Sequence, residues 1–236
     1  WGLKIGADGV RPDPEKVDAL KYISRPKNKS ELLSFLRMMQ SNADFIPNFA
    51  RKASILRELT KKNIRFYWEK KHQQCFEELI NAFSKETLLR FFDLNKSTFV
   101  FVDAHKTGLG AILSQGTSIK DAKPVALASR TTEKAEKRYP QIDLEGMAVD
   151  FGLRRFRNYL VGAPKEITVV TDHKPLCRIF NGRRKGSIRT EKIKMQNQDI
   201  RFSVHYQKGS SNQTDYMSRH AKPIAKLPVD QQQEPQ

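Results

Sequence analysis

The stretch Thr98-Phe99-Val100-Phe101-Val102-Asp103 decides how this chain is read. Five β-branched or aromatic residues in succession have the length and composition of a strand, and an acid closes the run. Downstream, Gly108 and Gly110 supply a turn, and Ala111-Ile112-Leu113 reads as a returning strand. Pro124 to Ala128 reads as a third strand. Leu144 to Leu160, carrying Met147, Ala148, Phe151, Leu153 and Phe156, predicts a long amphipathic helix. Ile167-Thr168-Val169-Val170-Thr171 is a buried-strand pattern, a helix is expected near Pro175, and Phe202 to Tyr206 alternates as a strand does. A short last helix is expected over Thr214 to Arg219. Strands, helix, strand, helix, strand, helix is the order of an α/β domain with a mixed sheet.

Upstream of residue 90 the grammar is helical. Asp13-Pro14-Glu15 is a helix start, with Val17, Leu20 and Ile23 following at helical spacing. Arg25-Pro26 ends that helix, and Asn28 with Glu31 three residues on has the form of a capping box. Leu32, Leu33, Phe35, Leu36 and Met39 make an apolar stripe. Pro47 interrupts, and Ala53 to Leu59 forms another amphipathic turn. Phe76, Leu79, Ile80 and Phe83 fall at i, i+3, i+4 and i+7, a core-facing helix face. The expected organisation is therefore a helical region over 1–90, a sheet domain over 91–220, and a Pro-, Lys- and Gln-rich tail over 221–236 that reads as linker.

Composition narrows the function. The 236 residues hold 43 Lys+Arg against 26 Asp+Glu, a formal net charge of +17. Such an excess points to a polyanionic partner, nucleic acid first, because Lys and Arg displace counterions condensed on phosphates. No apolar run approaches the roughly 20 residues that cross a bilayer as a helix. Two cysteines, Cys75 and Cys177, exclude a disulfide scaffold and fit reduced thiols in an intracellular protein. The start, Trp1-Gly2-Leu3-Lys4, has neither an initiator Met nor the form of a signal peptide, and is expected to be a cut from something longer.

Four acids stand at telling places. Asp103 closes the first strong strand, Glu145 lies near the start of the long helix, Asp172 closes the fourth strand, and Asp215 opens the last helix. Strand ends and helix starts of an α/β sheet commonly face one crevice. Carboxylates gathered there repel one another and need hard cations to coexist, for which Mg²⁺ is the natural choice. Two such ions about 4 Å apart activate a water and stabilise the leaving oxygen of a phosphoryl displacement. The plain alternative is four unrelated surface acids among 26; spacing alone weighs the two equally.

The residues around the acids shift that balance. Phe101-Val102-Asp103-Ala104 with Gly108-Leu109-Gly110-Ala111 resembles the first motif of the retroelement RNase H family. Tyr139-Pro140-Gln141-Ile142-Asp143-Leu144-Glu145-Gly146 resembles its second, and Val170-Thr171-Asp172-His173-Lys174-Pro175-Leu176 its third. Asn212-Gln213-Thr214-Asp215-Tyr216-Met217-Ser218-Arg219-His220 resembles the closing motif of gypsy-type LTR retrotransposon pol polyproteins. In the first half, Gly9-Val10-Arg11-Pro12-Asp13-Pro14, Ser34-Phe35-Leu36, Phe45-Ile46-Pro47-Asn48-Phe49 and Phe66-Tyr67-Trp68 are similar to the segment after the polymerase palm. The resemblance covers residues 1 to about 222.

This resemblance implies an RNase H-like fold, α/β with a mixed sheet, preceded by a mainly helical reverse-transcriptase thumb and connection segment. It implies hydrolysis of the RNA strand of an RNA–DNA hybrid, with Asp103, Glu145, Asp172 and Asp215 as catalytic, metal-binding acids. Two Mg²⁺ ions, or Mn²⁺ in their place, are the implied cofactors. Its partners would be the hybrid and the polymerase portion of the same polyprotein, with room for an oligomer and no membrane. No aromatic-x-Asp-Asp pattern occurs, so the chain alone is not expected to synthesise DNA. The alternative is a non-catalytic nucleic-acid-binding or scaffold fragment of a retroelement-derived protein. Two departures stand out. Relatives carry a histidine in the loop that here reads Gln207-Lys208-Gly209-Ser210-Ser211, and often a Trp where Ser187 to Ile193 stands. Finally, Arg183, Arg184, Lys185, Arg189, Lys192 and Lys194 form a basic cluster suited to phosphate contacts, with His173 beside the third acid as a further candidate.

Overall fold

The structure is a computed structural model and describes residues 2–20, 22–84 and 87–208. Five strands form the central sheet: β3 (Ser97–His105), β4 (Gly108–Gly116), β5 (Lys123–Thr131), β6 (Ile167–Thr171) and β7 (Phe202–Tyr206), in the order β5-β4-β3-β6-β7. β3, β4 and β5 pair antiparallel, whereas β6 joins β3, and β7 joins β6, in parallel. The parallel joins need crossovers, because consecutive parallel strands cannot be linked by a hairpin. The first crossover is α6 (Gln141–Arg155) with α7 (Arg157–Leu160); the second is α8 (Lys174–Phe180) with α9 (Ile188–Gln196). The expected α/β fold with a mixed sheet is what forms.

Strand alternation sorts the sheet's side chains into two layers. Val100, Val102, Leu109, Ala111 and Leu113 face α6 and pack with Leu144, Ala148, Val149 and Leu153. Gly152 of α6 permits that approach: a Cβ there would stand 3.0 Å from Val100 Cγ1 and 3.1 Å from Val102 Cγ1. Phe99, Phe101, Ile112, Leu127 and Val170 pack on the other face.

The first half has its own core. α1 (Pro14–Leu20), α2 (Lys29–Gln40), α3 (Phe49–Lys52), α4 (Ser54–Leu59) and α5 (Lys70–Ser84) bury Leu32, Phe35, Met39, Leu56, Phe76, Leu79, Ile80 and Phe83 together. Half of the capping box forms as the sequence proposes, with Asn28 Oδ1 accepting from the Glu31 N–H at 2.9 Å, while Glu31 Oε2 reaches one residue further back and accepts from the Lys27 N–H at 2.7 Å.

Three readings change. The first half is not wholly helical, since Leu3–Gly6 (β1) and Gly9–Pro12 (β2) form an antiparallel ribbon. Gly108 and Gly110 lie within β4 rather than in the turn, which falls at Lys106-Thr107. The long helix ends at Arg155, and Phe156 separates it from α7. The helix expected over Thr214 to Arg219 lies outside the described residues.

Candidate active site

Asp103 sits near the end of β3 and, by alternation, shares the face of Phe99 and Phe101. Asp172 follows β6 directly, so Asp103 and Asp172 each lie two residues beyond the paired Phe101 and Val170 on neighbouring strands. Glu145 projects from the second turn of α6, and its side chain is buried. Gln141, one turn earlier, donates to Glu145 Oε1 at 2.7 Å and reaches the Ala104 carbonyl at 3.5 Å. Glu145 Oε2 is buried with no hydrogen-bond partner. Burial above all pushes the Glu145 carboxyl up to about 8, and the negative charges of Asp172 and Asp103 push the same way. Thus three of the four predicted acids are brought into electrostatic reach of one another. Asp215 lies outside the described residues.

Asp103 is also held from the helical half. Asn48 Nδ2 donates to Asp103 Oδ2 at 2.9 Å, and Arg51 Nη1 stands 3.4 Å from the same oxygen. Neither residue was singled out as a site residue by sequence, because they lie 55 and 52 positions away. Gln141 had a usable signal: an amide four residues before a helical acid faces it.

Among the described residues, no three His, Cys, Asp or Glu side chains stand close enough to hold a metal ion. The donor chemistry still fits a hard divalent cation. The three acids offer oxygen alone, and the orphaned Glu145 Oε2 is a buried acceptor of the kind that metal coordination or a proton must satisfy.

The basic cluster divides. Arg183, Arg184, Lys185 and Lys192 are exposed. Arg184 and Lys185, with Ile142, Lys174, Arg178 and Ser187, line an open cleft of about 520 Å³. Arg189 is engaged elsewhere: it pairs with the buried Asp143 and lies 3.8 Å from the Tyr139 ring centroid. His173 is half-buried beside Asp172, and burial holds its imidazole below the usual value.

Residues 68–169 match the family described as the RNase H-like domain found in reverse transcriptase. Over that segment the chain resembles an RNase H-like domain of the reverse-transcriptase type. It is 30% identical over 231 residues to the transposon Tf2-3 and Tf2-4 polyproteins of Schizosaccharomyces pombe. The match takes in 97% of this chain and 17% of those polyproteins, so the chain spans about a sixth of the length of these relatives. Two solved structures share the fold. A foamy viral protease-reverse transcriptase in complex with RNA/DNA hybrid has a TM-score of 0.65 at 20% identity, over 99% of this chain and 31% of that one. The same viral protein in complex with dsDNA has a TM-score of 0.66 at 20% identity, over 88% of this chain and 44% of that one. Among the described residues, no helix is long and apolar enough to cross a membrane.

Proposed function

We propose that residues 91–220 hydrolyse the RNA strand of RNA–DNA hybrids, and that residues 1–90 act as the thumb and connection region of a reverse transcriptase, inside the cell. Residues 221–236 would be the linker. The observation that carries this reading is the buried Glu145 carboxylate, with one oxygen orphaned and with Asp103 and Asp172 near enough to raise its proton affinity. A structural acid at that depth would ordinarily be hydrogen-bonded on both oxygens.

Asp103, Glu145, Asp172 and Asp215 would hold two Mg²⁺ ions. When bound, the ions supply an activated water and stabilisation of the leaving oxygen. Gln141 fixes one Glu145 oxygen and so aims the other. The exposed Arg184 and Lys185 beside α6 offer phosphate contacts that hold the duplex without reading its sequence.

The test is Mg²⁺-dependent cleavage of an end-labelled RNA–DNA hybrid by the 236-residue chain and by Asp172→Asn. Cleavage by the first and its loss, by at least a hundredfold, in the second is expected. Equal activity in the two, or none in either with Mg²⁺ or Mn²⁺, refutes the proposal.

A further inference from the structure

Part of the contact between the helical half and the sheet falls on one register row. Asp103 on β3, Gly110 on β4 and Ser129 on β5 are directly opposite one another and share a face. Residues 48–51 contact all three. Asn48 donates to Asp103, the Ala50 N–H donates to Ser129 Oγ at 3.0 Å, and the missing side chain of Gly110 makes the slot in which the Asn48 amide lies. A Cβ at Gly110 would run into Asn48 Oδ1 and stand 2.9 Å from its Cγ. Two residues back along β4, a Cβ at Gly108 would stand 3.1 Å from the Arg51 backbone nitrogen. Asn48 itself adopts φ 55, a left-handed backbone that Asn tolerates better than most residues. Two glycines, a serine and a left-handed Asn thus combine to bring an amide and a guanidinium onto one carboxylate oxygen.

We propose that Arg51 is the counter-cation of Asp103 that a divalent ion must displace, and that Asn48 is the positioning residue that keeps the Asp103 carboxylate aimed. The inference rests on the reading above, in which Asp103 is a metal-holding acid. Arg51 and a divalent ion would both draw on the same carboxylate charge, so they compete. Asn48 is neutral and does not; its bond fixes the rotation of the carboxylate whichever cation is present. The first half of the chain is therefore part of the site rather than only a grip on the duplex.

The two roles have separate readouts. Arg51 is half exposed, with 47% of its side chain accessible against 22% for Asp103. Its charge is therefore largely screened, and its removal should tighten binding by only about two- to fivefold. Titration calorimetry with Mn²⁺ on the full chain should show that gain in Arg51→Gln, and Arg51→Lys should return the wild-type affinity. Asn48→Gly keeps the left-handed backbone and removes the amide. Hybrid cleavage should fall about tenfold in kcat with KM unchanged, the scale of a hydrogen bond to a charged acceptor. Unchanged or weakened Mn²⁺ binding in Arg51→Gln overturns the proposal, as does a lysine variant that behaves like the glutamine one. Wild-type kcat in Asn48→Gly removes the role of Asn48. If Asn48→Gly does not fold, the surface Arg51 pair still decides. A wild type that binds Mn²⁺ but cleaves no hybrid defeats the nuclease reading and leaves the calorimetric test standing; one that binds no Mn²⁺ defeats this inference.

Discussion

Replacing Gly110 by Ala should reveal how firmly Asn48 is held. The three atoms nearest a Cβ at that position all belong to Asn48, so the new methyl meets that one side chain first. Two responses are open. The Asn48 amide can swing away and give up its bond to the Asp103 carboxylate, which costs about 1.5–3 kcal/mol. Alternatively the strand and the 48–51 segment can move apart, an overpacking cost of about 1–3 kcal/mol. The protein takes the cheaper route, so the costs do not add, and Gly110→Ala should destabilise by about 2 kcal/mol. In an Asn48→Gly background the obstruction is gone. There the same substitution should be neutral or stabilise by about 0.5–1 kcal/mol, because Gly inside a strand loses more backbone entropy than Ala. The assay is a double-mutant cycle by urea unfolding, read by far-UV circular dichroism in EDTA. A change of sign between the two backgrounds is expected. Effects that add to within about 0.5 kcal/mol would show that Asn48 does not occupy the Gly110 slot.

The remaining predictions concern Glu145 and the basic cluster. In the metal-free protein Glu145 binds its proton more tightly folded, at about 8 against 4.5 in the unfolded chain. The folded state therefore carries the extra proton between those values. The Glu145 contribution to stability should be full below pH 4.5, fall by a few kcal/mol in all as pH rises to 8, and then level off. Glu145→Gln should remove that slope, and parallel stability–pH curves for the two proteins in EDTA would refute the assignment. Arg189→Ala should cost about 2 kcal/mol in urea unfolding, since it leaves the buried Asp143 carboxylate with Ser187 but no cation; a loss under 0.5 kcal/mol would contradict a structural role. Arg184→Ala or Lys185→Ala should leave stability within about 0.5 kcal/mol but lower the slope of log affinity against log salt for a hybrid by about 1. An unchanged salt slope would remove the cleft from the duplex path.

Much of the fold is legible along the chain because it is set by local pattern. The run from Thr98 to Val102 is strand in any context that covers both faces, and all five residues are buried. Phe76, Leu79, Ile80 and Phe83 leave a helix a single face to bury. Where the reading slipped, a residue type carried two meanings. Gly108 and Gly110 look like turn residues, yet their lack of side chain serves close approach within β4, which depends on Asn48 and Arg51 far away in sequence. Phe156 ends α6 without a Gly or Pro to announce it. The β1–β2 ribbon escapes notice because its strands are short and Leu3 and Ile5 remain exposed, so no buried face imposes an alternation.

The acids stand out in the sequence by their positions together with the motifs around them, but what surrounds them follows from tertiary packing. The Arg189–Asp143 pair shows why. By sequence Arg189 belongs to a basic run and nothing distinguishes it from Arg184; only the packing of α9 against α6 commits it to Asp143 and leaves Arg184 facing the cleft. The same logic applies to the change of grammar near residue 90. Composition separates a helical half from a sheet half there, and each half has its own core. The row Asp103–Gly110–Ser129 nevertheless receives its contacts from residues 48–51, across that line. Cutting at residue 90 would take the amide and the guanidinium away from Asp103 and leave an unfilled slot at Gly110. A boundary drawn by hydrophobic pattern marks where cores change, and here it does not mark where the site ends.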